Sequence, residues 1–308
     1  MKKLIIATRK SQLALWQSHH IAQILKDKHQ IEVVLEGFKT KGDVLLDTPL
    51  AKIGGKRLFT KELEESMLRK DAHLAVHSLK DMPSFFPQGL VLAAVSKREK
   101  SNDAMLSQNY KDFLSLPQGA KIGTTSLRRK MQLLLLRPDL KIISLRGNVN
   151  SRIQKLKNGE FDAIILAIAG IKRLNLDKEV NFVYEFSKDE LIPAASQGAL
   201  GIQSIDQSDI LELLECLNDE DALIETTIER DFIATLEGGC QVPIGVNAEL
   251  LNDKICVRCV LGLPDGSEIL KDKRMIKKSD YKFFGEKLAK EFIAKGAKEL
   301  LIQAESMI

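Results

Sequence analysis

Leu4-Ile-Ile-Ala-Thr-Arg-Lys-Ser-Gln-Leu-Ala-Leu-Trp-Gln-Ser-His-His-Ile-Ala-Gln-Ile-Leu-Lys-Asp-Lys28, followed closely by Ile31-Glu-Val-Val-Leu-Glu-Gly-Phe38, carries the fold in miniature. Residues 4–7 form a short apolar run that reads as a buried strand. Residues 12–28 place Leu13, Trp16, His20/Ile21 and Ile24 at helical spacing, and 31–38 read as a second strand. The alternation continues with a helix at 61–70 and strands at 72–77 and 90–95. It repeats in kind between about 97 and 196, with strands at 121–123, 142–145 and 163–167 and helices at 127–136 and 151–157. Strand–helix alternation of this sort predicts parallel or mixed α/β sheets.

From about residue 217 the character changes. One helix (222–236) precedes strands at 246–251, 254–261 and 268–274, with Asn252-Asp253 and Pro264-Asp265-Gly266 as turns. A final helix carries Phe284, Leu288, Phe292 and Leu300 near one face. The expectation is two α/β lobes plus a small α+β C-terminal domain, with ligand bound in an inter-lobe cleft.

Composition narrows the function. A net charge of +4 on 308 residues is modest, so a general nucleic-acid binder is not expected and any important positive charge must be local. With three Tyr and one Trp, base-stacking platforms are scarce. Met1-Lys2-Lys3 and the run after it resemble the start of a signal peptide, but Arg9 and Lys10 end that run early. No stretch approaches the roughly 20 apolar residues of a membrane span, so the chain reads as cytoplasmic.

The cysteines are Cys216, Cys240, Cys256 and Cys259. Cys256-Val-Arg-Cys259 has CxxC spacing, but it lies in a strand-like run where residues i and i+3 face opposite ways. No second CxxC or nearby histidine completes a tetrahedral set, and no metal is expected. Cys240 differs. Gly238-Gly239-Cys240-Gln241-Val242 sets it behind two glycines between a helix and a strand, where the backbone can turn and the thiol is unshielded. A reactive thiol and an inert one at a helix-ending turn are both open on spacing alone.

In α/β sheets ligands gather at the carboxyl ends of strands and at the helix N-termini that follow. Arg9 and Ser11 follow the first strand. Thr124-Thr125-Ser126-Leu127-Arg128-Arg129 follows 121–123, with Ser126 a candidate N-cap. Arg146-Gly147-Asn148 follows 142–145, and Arg152 lies a turn further on. Guanidinium forks bind carboxylate or phosphate bidentately, so the bound molecule should be polyanionic. Asp81, in His77-Ser-Leu-Lys-Asp-Met-Pro83, would sit at a strand end among these cations, either as a functional acid or as a turn former paired with Lys80. His77 reads more readily as a core histidine than as a catalyst. There is no GxxxxGK[ST] and no GxGxxG after the first strand.

Taken in order, these segments resemble the porphobilinogen deaminase (hydroxymethylbilane synthase) family. The match runs through Ile6-Ala-Thr-Arg-Lys-Ser11, Leu13-Ala-Leu-Trp16, Lys41-Gly-Asp43, and Asp47-Thr-Pro-Leu-Ala-Lys-Ile-Gly-Gly-Lys56. It continues in Ala75-Val-His-Ser-Leu-Lys-Asp81, Gly123-Thr-Thr-Ser-Leu-Arg-Arg129, Ser144-Leu-Arg-Gly-Asn148, Pro193-Ala-Ala-Ser-Gln-Gly-Ala199 and Leu236-Glu-Gly-Gly-Cys-Gln-Val-Pro-Ile-Gly245. The resemblance implies two periplasmic-binding-protein-like lobes, 1–96 with 197–215 and 97–196, and a C-terminal domain, 216–308, bearing the cofactor cysteine.

It implies, too, a transferase that joins four porphobilinogen molecules head to tail, releasing ammonia and giving hydroxymethylbilane, on a dipyrromethane primer held by Cys240 as a thioether. Each pyrrole carries an acetate and a propionate, which gives the cations a purpose. By motif position Lys80, Ser126, Arg128, Arg129 and Arg146 fall to the cofactor, Arg9, Ser11, Arg152 and Gln197 to the substrate, and Asp81 to catalysis. The implied protein is a monomer with no nucleic-acid or membrane partner. The competing expectation is a two-lobed binding protein for a small polycarboxylate.

Three positions depart from the family pattern. Arg57 follows Gly54-Gly55-Lys56 where many relatives place glycine, Ser196 stands where glycine is expected before Gln197-Gly198, and Thr125 replaces a more usual serine.

Overall fold

The computed structural model describes residues 3–40, 60–237 and 242–307. The chain divides into two compact units, one of residues 1–99 and 199–223, the other of residues 100–198 and 224–308.

The first unit opens with β1 (Lys3–Arg9), α1 (Gln12–His29) and β2 (Glu32–Phe38), and β1 and β2 pair in parallel. Ser11 starts α1, its Oγ accepting from the Ala14 N–H, a cap that contributes about 1 kcal/mol. Then come α2 (Lys61–Leu68), β3 (Leu74–Ser78), a single 3₁₀ turn over Leu79–Asp81, and β4 (Leu90–Val95). The sheet has the order β2-β1-β3-β10-β4, where β10 (Leu200–Ile205) returns from far along the chain and runs antiparallel to both neighbours. Leu4, Ile6, Ile21, Leu25, Leu74 and Ile202 are fully buried in its core, each worth on the order of 2 kcal/mol.

The second unit repeats the plan. β5 (Asp103–Ser107), β6 (Lys121–Gly123), α3 (Leu127–Leu136), β7 (Lys141–Ile143), α4 (Val149–Lys157), β8 (Ala163–Ala167), α5 (Ile168–Arg173) and β9 (Phe182–Glu185) build a sheet of order β7-β6-β8-β5-β9. β6 is parallel to β7 and β8, and β5 is the antiparallel member. Side chains alternate along β5 and β8. Ala104, Leu106, Ile164 and Leu166 enter one core, while Met105, Ala163 and Ile165 enter the other. Both faces are covered, which is why residues 163–167 read as a continuous apolar run rather than an alternating one.

After α6 (Ser208–Leu214) and α7 (Glu220–Thr235), the antiparallel strands β11 (Ile244–Leu251), β12 (Lys254–Gly262) and β13 (Ile269–Lys277) form the small third sheet. The single C-terminal helix expected from sequence is two, α8 (Phe284–Ile293) and α9 (Ala297–Ser306), broken at Gly296 with φ +91°. A side chain rarely adopts that backbone and glycine does so freely, so the apolar spacing carries across a break. Strands β5, β9 and β10 went unread in the sequence, and β7 lies one to two residues before its expected place.

Candidate active site

The first unit gathers Arg9, Ser11 and Asp81 around one cavity, together with Thr60, His77 and Ser78. The cause is topological. β1 and β3 are parallel neighbours, paired at Ile6↔Leu74 and Ala7↔Ala75, so Arg9 after one and the 3₁₀ turn after the other emerge at the same edge. Ser11 brings the N-terminus of α1 to that edge as well. Asp81 is exposed and Lys80 half-buried in the turn. His77 is buried, and burial pushes its pKa down to about 4; Gln203 opposes the shift and the Arg9 charge adds to it. At neutral pH it is an uncharged imidazole.

In the second unit Ser126 caps α3 after β6, its Oγ accepting from the Arg129 N–H, and Asn148 caps α4 after β7 with its Oδ1 accepting from Ser151. Because β6 and β7 are parallel and adjacent, both helix N-termini lie at one carboxyl edge. Arg146 lies two residues before the second cap, and Arg152 folds back so that its Nε donates to the Gly147 carbonyl at 2.8 Å. Ser126, Arg146 and Arg152 are all half-buried there.

Arg128 and Arg129 go elsewhere. They are only 4% and 6% exposed and converge on Asp103, which is fully buried at the start of β5. Arg128 Nη1 donates to Asp103 Oδ2 at 2.7 Å and to the Ile192 carbonyl at 2.8 Å. Arg129 reaches Asp103 Oδ1 through Nη2 at 2.6 Å and Nε at 3.1 Å, and Ile165 O through Nη1. Gln197 is also buried, its Nε2 donating to Asp103 Oδ1 and to Ser101 O. Burial alone would raise the Asp103 pKa, but Arg128 and then Arg129 outweigh it and hold the carboxyl well below the usual range. For Arg128 burial prevails over Asp103 and lowers the pKa, from so high a starting value that the guanidinium stays charged.

Sequence reasoning missed Asp103. Its signal was an acid directly before the apolar run Ala104-Met-Leu106, a place where carboxylates are rare unless paired. Also unread was Glu229 on α7. Its buried carboxylate accepts from the Ser196 N–H, from Asn247 Nδ2 at 3.2 Å and from the Ala248 N–H at 2.7 Å. Ser196 itself sits at φ +62°, which accounts for the glycine expected at this position. Cys240, Arg57 and the motif spanning 41–56 lie outside the described residues. Among the described cysteines, Cys256 and Cys259 are buried in β12 and Cys216 is exposed.

Comparison with known proteins bears on the whole chain. Residues 4–212 match the family model described as "Porphobilinogen deaminase, dipyromethane cofactor binding domain", and residues 223–294 match "Porphobilinogen deaminase, C-terminal domain". A porphobilinogen deaminase of Campylobacter jejuni subsp. jejuni serotype O:2 is 88% identical over 306 residues, covering 99% of this chain and 100% of that one. One from Campylobacter concisus is 61% identical, with 100% of both chains covered. Among solved structures, the methionine binding protein MetQ is similar at 14% identity and a TM-score of 0.44, over 72% of this chain and 92% of that one.

Proposed function

Because the chain belongs to the porphobilinogen deaminase family, we propose that Asp81 carries the chemical step, that Cys240 anchors the primer, and that the cations at the strand ends hold carboxylates. The enzyme condenses four porphobilinogen molecules head to tail with loss of ammonia, giving hydroxymethylbilane, on a covalent dipyrromethane cofactor. The family matches favour this over a two-lobed carboxylate-binding protein.

The residues present suit such a cofactor. Two pyrroles with an acetate and a propionate each make a polyanion. The carboxyl edge of the second sheet offers Arg146, Arg152 and the Ser126-capped helix N-terminus. The nearby Asp103 cluster holds two guanidiniums against one carboxylate. The bound primer supplies a nucleophilic pyrrole α-carbon.

The observation that carries the reading is the placing of Asp81 on the same cavity as Arg9 and Ser11. Porphobilinogen brings carboxylates and an aminomethyl group together. Arg9 and the Ser11 end of α1 draw the carboxylates, while Asp81 faces the ammonium and then the positive charge that develops as ammonia leaves. His77, neutral in its buried place, adds no positive charge beside Asp81 near pH 7.

Asp81→Asn keeps the size and removes the charge. Its turnover should fall by about two orders of magnitude or more, while protein already carrying cofactor keeps it. Condensation at the wild-type rate would make Asp81 a turn residue only.

We further infer a cytoplasmic monomer with no nucleic-acid partner, consistent with the modest charge. Among the described residues no helix is long and apolar enough to cross a membrane. The domains we infer are residues 1–96 with 197–215, 97–196, and 216–308.

A further inference from the structure

Asp103 gathers three of the residues that the family resemblance ties to the ligands, namely Arg128, Arg129 and Gln197, around one buried carboxylate. Two features point beyond ordinary core packing. A guanidinium has five N–H donors, yet among the described residues Arg128 makes its hydrogen bonds through Nη1 alone. The side chain as a whole is only 4% exposed, yet its remaining donors are not among the buried, unpartnered nitrogens, so they stay open to a ligand. The charge is also uneven. Asp103 and Arg129 are the charges that bear on Arg128, so one anion stands against two cations.

We propose that Asp103 is a positioning residue for cofactor binding: it fixes the two guanidiniums and cancels one of their charges, so the pair presents a single net positive charge, with the spare donors of Arg128, to one carboxylate of the dipyrromethane. Without Asp103 the arginines would repel each other and lose their common anchor to β5. With it, their orientation is set before the ligand arrives, which lowers the cost of ordering on binding. The Ile192 and Ile165 carbonyls complete the cradle, holding Nη1 of each arginine from the backbone. Gln197 ties the same carboxylate to Ser101 in the segment that leads into β5.

The inference rests on the reading that these arginines take cofactor carboxylates, and the experiment separates the two. Apo-protein is prepared as wild type, Asp103→Asn, Asp103→Glu and Arg128→Leu, then incubated with porphobilinogen well below each melting temperature. Intact mass gives the rate of adduct formation, and melting before and after loading gives the stabilisation the cofactor confers.

Asp103→Asn loses the charge, while Asp103→Glu keeps it but displaces both guanidiniums by a methylene. Each should load about 10- to 100-fold more slowly than wild type, and loading should raise its melting temperature less. A purely structural aspartate would lower apo and loaded melting equally and leave the loading rate of folded protein unchanged; that result overturns the proposal. If Asp103→Asn does not fold, Asp103→Glu is judged by the same two measurements. Should Arg128→Leu load and gain stability like wild type, the arginine reading itself fails. Should Arg128→Leu alone be impaired, that reading stands and Asp103 has no positioning role.

Discussion

Ser196 donates its backbone N–H to the buried Glu229 carboxylate while holding φ at +62°. The hydrogen bond fixes the turn that carries Gln197 to Asp103, and a residue with a Cβ occupies a conformation that costs it roughly 1 kcal/mol. The Ser196 hydroxyl is also buried without a hydrogen-bond partner among the described residues. Ser196→Gly removes both penalties and adds about 0.4–1 kcal/mol of unfolded-chain entropy. It should stabilise the protein by about 1 kcal/mol, measured as a higher urea midpoint at an unchanged slope. A lower midpoint would mean that the serine makes a favourable contact here.

His77 gives the fold a pH dependence with a definite sign. Its folded pKa of about 4 lies below the ordinary 6.5, so between those values the unfolded chain binds more protons. Stability is therefore complete above pH 6.5 and is lost as pH falls towards 4. The shift corresponds to about 3 kcal/mol. His77→Gln should flatten the urea midpoint between pH 7 and pH 4.5 relative to wild type. Parallel profiles for the two proteins would show that His77 is protonated equally in both states.

Cys240 should be the modified thiol. Burial pushes Cys259 up to about 12 and also raises the pKa of Cys216, and Cys256 is buried in the same strand as Cys259. Thiolate chemistry disfavours such sites. Purified protein should be heavier than its sequence by one dipyrromethane, and Cys240→Ser should lack the increment. An adduct that peptide mapping places on Cys216 would overturn the assignment.

Gly245 permits a close approach. A Cβ there would meet the Ile192 carbonyl oxygen at 2.8 Å and the Arg128 Cδ at 3.3 Å. Neighbouring Val246 donates its N–H to the Pro193 carbonyl, so the strand is held where it lies. Gly245→Ala should destabilise by about 1–3 kcal/mol, because backbone must move to admit the methyl. It should also slow cofactor loading through Ile192, which holds Arg128. Melting and intact-mass measurements test the two effects separately.

The sequence made parts of this molecule legible because they rest on local periodicity. α1, α3, β8 and the antiparallel pair β11–β12 declare themselves through apolar spacing, caps and turns. β5 and β10 do not. Asp103-Ala-Met-Leu-Ser107 is short and bounded by polar groups, while Leu200-Gly-Ile-Gln-Ser-Ile205 mixes Gln203 and Ser204 into a fully buried strand. Their strand character comes from partners distant in sequence. At the site, Arg9, Ser11, Ser126 and Arg146 could be placed because helix N-termini follow strands. The inward turn of Arg128 and Arg129 could not, since their partner Asp103 lies 25 and 26 residues away on a strand that was not read.

The return of β10 to the first sheet sets a timetable for biogenesis. Among the described strands, β4 reaches the rest of its sheet only through β10, because the order runs β3-β10-β4. A nascent chain that has emerged as far as Val95 can form the parallel trio β2-β1-β3, but among the described strands β4 has none to join until Ile205 has been synthesised. The sheet containing β5 to β9 is complete in one unbroken stretch by Glu185. That sheet can therefore close on the ribosome before the sheet of the first unit, leaving an open edge on β3 exposed during synthesis.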